Sequence, residues 1–417
     1  MKTPARGRKD TTGEKKKFTI MQQPLQLNNK RIESIDLLRG LVMIIMALDH
    51  TRDFFHSEAL TGDPLNLSTT TPFLYFTRWI THFCAPTFVF LSGVSAWLQS
   101  RRKTTAELSR FLITRGFCLV FLELTVITLG ITGDIHFGIF VLQTIWSIGI
   151  SMVILGVVIW LPFNVILITG LLIVFGHNLL DFAEAKQMGN VNEFWRFLHK
   201  PGMLHLWGNH MLGVFYPFLP WTGLMMVGYC AGKIFSDVEP ERRKKILLLT
   251  GFGALLFFAA LRATNMYGDP SRWSSQKDGV YTFLSFMNVT KYPPSLLYTC
   301  VTVGCGLIFL ALVKNTGSHL SKIIIVYGRV PFFYYVLHFY LLHIIEICCY
   351  LSRGHSVAEG MTGAPGIPFK FAAPGEGYSL WVVYGIWAAV VIALYPLCKW
   401  YDNYKTNHKE KWWLSYL

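Results

Sequence analysis

Charge is scarce in this 417-residue chain. Only 15% of its residues are Asp, Glu, Lys or Arg, against 52% hydrophobic, and the mean hydropathy is +0.39. A water-soluble domain carries about 25% charged residues, so a water-facing surface cannot be assembled from this composition. Strict alternation of apolar and polar residues is also missing, which excludes a membrane β-barrel. Cysteine pairs at CxxC spacing are absent, and the eight cysteines fall almost entirely within apolar runs, where they act as small hydrophobes. No HExxH pattern unites His199, His205 and His210, so no metal is expected. The first thirty residues contain no apolar core of a cleavable signal, and no repeat of 20–50 residues stands out.

What is present is a series of apolar runs near twenty residues long, the length of helix that crosses a hydrocarbon core. The expected fold class is all-α: a polytopic membrane bundle of about ten transmembrane helices, near 36–55, 80–99, 111–132, 138–160, 163–181, 211–232, 246–263, 294–313, 330–351 and 378–398. Two domains are expected, a disordered basic cytoplasmic tail over 1–30 and a membrane domain over 31–417. The net charge of +14 does not point to nucleic acid, because the basic residues lie in the N-terminal tail and in short joints beside apolar runs. Arg101-Arg102-Lys103, Arg242 to Lys245, Lys314, Lys322 and the C-terminal lysines all fall on one side if both termini are cytoplasmic. The long connections 56–79, 182–210, 264–293 and 352–377 then lie on the opposite side of a cell (inner) membrane, rich in Trp, His, Asn and Gly.

The first span is the anomalous one. Between Asp36 and Arg39 at one end and Asp49, His50, Arg52 and Asp53 at the other, only Gly40–Leu48 is uncharged. Such a helix cannot face lipid, so its ionisable groups belong to the bundle interior or a wet cavity. At about 100° per residue Asp36, Arg39, Met43, His50 and Asp53 share one face. Arg39 and His50 lie eleven residues apart, about 16 Å of helix rise, and so serve opposite halves of the membrane. The plainer reading is that these charges mark helix ends and that His50 is a hydrogen-bonded core residue.

The string Arg31 to Gly40 resembles the start of the heparan-alpha-glucosaminide N-acetyltransferase catalytic-domain family. So do Phe88 to Gly93, Tyr216 to Trp221, Asn288 to Ser295, Gly328 to His338, and the C-terminal Trp412 to Leu417. The Arg39-to-His50 spacing also resembles the Arg-x10-His signature of bacterial membrane O-acyltransferases. The resemblance implies a transmembrane acyltransferase that moves an acyl group, acetyl above all, from cytoplasmic acetyl-CoA or another acyl-CoA to a sugar or glycan acceptor on the far side.

Histidine as base suits that chemistry, since it titrates near working pH. His50, beside Asp49, ranks first. His56 ranks second, being the nearest match by order to the family's outer-loop catalytic histidine, and the position of His50 is similar to an Asn in the heparan-type enzymes. His82, where the family favours an acid, ranks third. Arg39, Asp36, Lys291 and Arg329 are the expected donor-binding residues, a cation at the inner end suiting CoA phosphates. Asn288, His338 and Trp221 are the expected acceptor-binding residues. Lys291 anchoring at the interface, His338 in a structural hydrogen bond, and Trp221 in helix packing are the plain alternatives. The lipid bilayer, acyl-CoA and the acceptor are the expected partners; a homodimer is left open. The rival function is a transporter or flippase for an acylated or anionic solute, which buried charges and broken apolar runs would also suit.

Overall fold

The computed structural model describes residues 1–3, 32–59, 61–186, 191–313, 315–364, 367 and 369–415. The chain divides into Met1–Arg31 and Ile32–Leu417. The tail expected over 1–30 therefore lies outside the described residues, apart from 1–3.

Helix occupies 70% of the described residues. In order, the helices are α1 Glu33–Phe55, α2 Pro72–Ile80, α3 Cys84–Ser100, α4 Thr105–Leu122, α5 Thr128–Thr132, α6 Thr144–Val158, α7 Phe163–Gly176, α8 Leu179–Lys186 and α9 Glu193–Leu198. They continue as α10 Phe218–Asp237, α11 Pro240–Thr264, α12 Gly279–Met287, α13 Leu296–Leu312, α14 His319–Arg329, α15 Pro331–Ser352, α16 Val357–Thr362 and α17 Leu380–Asn407. Local signals set many of their ends. Pro72, Pro240 and Pro331 sit in first turns, where no backbone donor is lost. Thr104 and Glu107 close a reciprocal capping box on α4. Gly133, at φ +65°, stops α5 in the left-handed conformation that glycine adopts without strain.

Five of these stretches are long and apolar enough to cross a membrane: Pro72–Ser100, Thr105–Thr132, Pro240–Thr264, Pro331–Ser352 and Leu380–Asn407. A sixth is the pair α7 and α8, bent by 45°. Shorter apolar helices α6 and α13 have 15 and 17 residues. α1 and α10 have the length but not the apolar composition, α1 because of its charges. Leu249, Phe252 and Leu256 on α11 and Trp381 and Ile392 on α17 are exposed, as lipid-facing residues would be.

The structure corrects the sequence reading in two places. The expected helices over 138–160 and 211–232 each begin as a strand, β1 (Ile139–Leu142) and β3 (Met211–Val214). β3 pairs in parallel with β1 and antiparallel with β2 (Gly202–His205), in the order β1-β3-β2, so the class is mostly rather than wholly α. A four-residue apolar run has no period of its own, and only its distant pairing partner decides it. Finally, the long connections are folded: α2, α8, α9, α12 and α16 all lie in or beside them.

α1 is the hub, packing on α3, α13, α14, α15 and α17. Its approach to α14 is extremely close. A Cβ on Gly328 would lie 1.8 Å from the Asp36 carbonyl oxygen, and one on Gly40 1.9 Å from that of Ile324. α3 and α10 meet in the same way at Gly93 and Gly228, where a Cβ would lie 2.2 and 2.3 Å from backbone carbonyls. Small residues allow this, and backbone contact replaces the hydrophobic drive that lipid removes. Gly328→Ala should therefore separate α1 from α14 and lower the melting temperature in detergent by several degrees, with loss of folded yield. Gly253→Ala, on an open face of α11 with nothing within 4 Å, should leave melting unchanged or raise it slightly.

Candidate functional site

The C-terminal end of α1 gathers a cluster of buried charge. Asp49, buried, pairs with Arg52 one turn on at 2.9 Å, with Arg78 of α2 in direct contact, and with Lys291 at 3.8 Å. Arg52 also contacts Asp53, and Arg78 reaches Thr81 and the Tyr292 hydroxyl, each at 3.5 Å. Three cations thus meet two carboxylates, one of which, Asp53, is half exposed. The surplus is positive. It is accompanied by unpartnered polar atoms: the donors Nη1 of Arg52 and Nε1 of Trp221, and both ring nitrogens of His82, one a donor and one an acceptor in the neutral ring, are buried with no hydrogen-bond partner among the described residues. Arg78, Lys291, Asp49 and Arg52 are the charges acting on His82, whose ring packs edge-on to Tyr298 at 5.3 Å. Trp221 stacks on Tyr216 at 5.4 Å, and Tyr216 meets Tyr292 at 5.2 Å.

Lys291 is held there by a rigid connection. Arg262, fully buried at the end of α11, donates to the carbonyls of Ser271, Ser285, Phe286 and Asn288 at 2.6–3.1 Å. Asp269 accepts from Thr290 N–H, Thr290 Oγ1, Ser295 Oγ and Ser271 N–H at 2.6–2.9 Å. Burial raises the Asp269 carboxyl above its ordinary value, against the pull of these hydrogen bonds and of Arg262. With both ends pinned, Lys291 and Tyr292 are carried inward by backbone they do not themselves stabilise.

On the adjoining face of α1, His50 Nδ1 lies 2.6 Å from Nε2 of His338 on α15. His338 Nδ1 in turn lies 3.2 Å from the Tyr334 carbonyl oxygen. A carbonyl only accepts, so the Nδ1 of His338 carries the proton, its Nε2 is a lone pair, and His50 Nδ1 is the donor. Nε2 of His50 is then left as a basic lone pair. His338 is fully buried while His50 is only partly so, and Nε2 of His50 has no hydrogen-bond partner among the described residues. Phe339 stacks on His50 at 4.3 Å and Tyr335 stands edge-on at 6.2 Å, fixing the ring plane.

The N-terminal end of α1 forms a second polar group. Arg39 donates to Ser95 Oγ at 3.0 Å, Asp36 at 3.3 Å and the Gly328 carbonyl at 3.4 Å. Arg329, one-third exposed, meets Asp402 at 3.5 Å and Asp36 and Glu33 at 4.0 Å. Of the expected donor-binding residues, Arg39, Asp36 and Arg329 therefore come together, and Lys291 stands at the other end with Asp49.

Other candidates separate as well. His56 caps a turn outside α1, its Nδ1 accepting from Glu58 N–H at 3.2 Å. Burial holds it below its ordinary pKa, opposed by Glu58 and reinforced by Arg52. Asn288 turns its side chain to the Leu65 carbonyl at 3.5 Å. Glu346 pairs with Arg353 at 3.6 Å, and no hydrogen bond joins it to His343, its neighbour one turn earlier. Arg78, Tyr292 and Arg262 went unread in the sequence; only Arg78, a lone cation in an apolar segment, left a trace there.

One group could hold a metal ion by composition, with ligand atoms of Asp181, Glu184 and His199 within 4.8 Å of one another. Its polar atoms already serve one another: His177 Nδ1 lies 3.1 Å from His199 Nε2, His199 Nδ1 2.7 Å from Glu184, and Trp195 Nε1 donates to Glu184 at 2.6 Å. This is a self-sufficient hydrogen-bonded bracket under α8 and α9.

No curated protein matches the chain. The model of the family described as "Heparan-alpha-glucosaminide N-acetyltransferase, catalytic" matches residues 31–263. That range contains α1 with Arg39, Asp49 and His50, as well as His56, Arg78, His82 and Trp221, whereas Asn288, Lys291, Arg329 and His338 lie beyond it. With more than half of its length matched, the chain belongs to the heparan-alpha-glucosaminide N-acetyltransferase catalytic family.

Proposed function

We propose that the protein is a cell-membrane acyltransferase that moves an acetyl group from cytoplasmic acetyl-CoA to an amine or hydroxyl of a sugar or glycan on the opposite side. The observation that carries the reading is the His50–His338 pair: a histidine with a dictated tautomer, its partner fixed by a backbone carbonyl, and its outer nitrogen free to take a proton. Family membership supports acetyl transfer. Ten crossings accommodate the described helices, with α2–α3, α4–α5 and α7–α8 each counted as one and α9, α12, α14 and α16 outside the count. An even number keeps both termini on the side of Arg101–Lys103 and Arg242–Lys245, the cytoplasm by the positive-inside rule.

In this reading CoA enters at the Arg39 end. Arg329 is the better phosphate ligand of the two, being more exposed and held by looser ion pairs. The thioester reaches toward His50. His50 Nε2 removes a proton from the acceptor nucleophile, which attacks the thioester carbonyl carbon; the C–S bond breaks, and the proton passes to the departing thiolate. While protonated, His50 keeps its Nδ1–H bond to His338, and Asp49 offsets its charge. The surplus cations Lys291 and Arg78, with the unused donors beside them, are suited to the oxyanion that develops on the carbonyl oxygen.

His50→Ala should lower kcat for acetyl transfer by about 10³-fold or more while the donor Kd stays within about twofold. His338→Phe keeps the ring but loses the acceptor for Nδ1–H, and should cost roughly 10²-fold in kcat. Steady-state kinetics with calorimetric donor binding checks both; a fully active His50→Ala enzyme would move the base elsewhere. Arg329→Ala should raise the Kd for acetyl-CoA about tenfold with little change in kcat. An unchanged Kd would remove the CoA phosphates from this end of α1.

A further inference from the structure

The ionic cluster at the C-terminal end of α1 does not balance. Arg52, Arg78 and Lys291 all meet the Asp49 carboxylate, Arg52 at 2.9 Å, Lys291 at 3.8 Å and Arg78 in direct contact. Asp49, Arg52 and Lys291 are each more than nine-tenths buried, at 6%, 3% and 8% exposure. The second carboxylate, Asp53, contacts Arg52 and is half exposed, so solvent shares its charge. Among the described residues no other acid forms an ion pair with these three cations. One positive charge is left over, and burying a charge without a partner is strongly unfavourable.

Hydrogen-bond donors are left over at the same place. Nη1 of Arg52 is buried with no hydrogen-bond partner among the described residues. The Lys291 ammonium carries three N–H donors, and its contact with Asp49 at 3.8 Å is too long for a hydrogen bond. No hydrogen bond reaches that ammonium among the described residues. Both groups lie against one carboxylate, Arg52 at Oδ1 and Lys291 at Oδ2. Lys291 is also kept from solvent by its backbone, since the connection that carries it is pinned at Arg262 and Asp269. Water would satisfy the donors and leave the charge; an anion answers both. An oxyanion that exists only during a reaction leaves the resting protein uncompensated.

We propose that this cluster binds a small monovalent anion, a halide in class, held by the Lys291 ammonium and Nη1 of Arg52. Charge-assisted N–H bonds hold it, and its single negative charge closes the balance. The site stands on the ionic cluster alone and does not depend on the acyltransferase reading.

The test uses the full chain in detergent without acetyl-CoA. Melting is followed while sodium bromide replaces sodium gluconate at constant ionic strength. Bromide should raise the melting temperature by a few degrees, the rise following the logarithm of its concentration above Kd. Lys291→Met removes the charge at similar length and should lose that shift. Lys277→Met, at an exposed lysine of the same connection, should keep it. An equal shift in Lys291→Met means general salt action and overturns the proposal. If Lys291→Met yields no folded protein, anomalous scattering from wild-type crystals grown in bromide decides. A bromide peak in contact with Lys291 Nζ and Arg52 Nη1 is expected, and water alone at that place overturns the proposal. Bromide should also slow acetyl transfer, because it covers groups assigned above to the oxyanion. A Lys291-dependent shift with bromide-insensitive transfer supports the anion site and removes the oxyanion role instead.

Discussion

Six ionisable side chains beyond the first residue of α1, Asp36, Arg39, Asp49, His50, Arg52 and Asp53, have to be kept out of hydrocarbon, and the architecture follows from that constraint. α1 is wrapped by α3, α13, α14, α15 and α17, and the wrapping is tightest where Gly40 and Gly328 let two backbones touch. That contact sets the height of α14, and α15 follows α14 directly across Val330 and Pro331. The position of His338 against His50 is therefore linked, through one turn of chain, to a contact between two glycines at the far end of the same helix. Helices with long uninterrupted apolar stretches, such as α11 and α17, are left for the periphery.

The two faces at the end of α1 divide the chemistry. Asp49 faces α2 and the Lys291 connection, where cations outnumber carboxylates; His50 faces α15, where the neighbours are aromatic and uncharged. A base works best when it is neutral before the reaction and its conjugate acid is supported afterwards. His338, locked by the Tyr334 carbonyl, supplies the orientation, and Asp49 supplies the charge from the next residue along. In the proposed reaction, the cations around Asp49 and the base at His50 would supply both halves of an acyl transfer from one helix end.

Much of this was legible in the sequence because it is local to one helix. The charge-interrupted first span, the opposite placement of Arg39 and His50, and the choice of His338 as a buried polar residue all follow from the 3.6-residue period and the cost of charge in lipid. The short strands β1 and β3 were not legible, since their pairing joins residues more than seventy positions apart. Arg78 and Tyr292 were missed for the same reason: nothing within their own segments says that Arg78 meets Asp49 or that Tyr292 meets Arg78. Lys291 was recognised as a candidate at the mouth of the site, but its ion pair with Asp49 was not legible, because its location depends on Arg262 and Asp269 pinning a connection whose shape no periodicity records.

The most direct test is a structure of the full chain with a non-hydrolysable acetyl-CoA analogue bound. The account requires the nucleotide at the Arg39 and Arg329 end of α1 and the acetyl carbonyl within about 4 Å of His50 Nε2, its oxygen turned toward Lys291 and Arg78. An acetyl group seated away from His50, or a nucleotide bound at the Lys291 end, would contradict it.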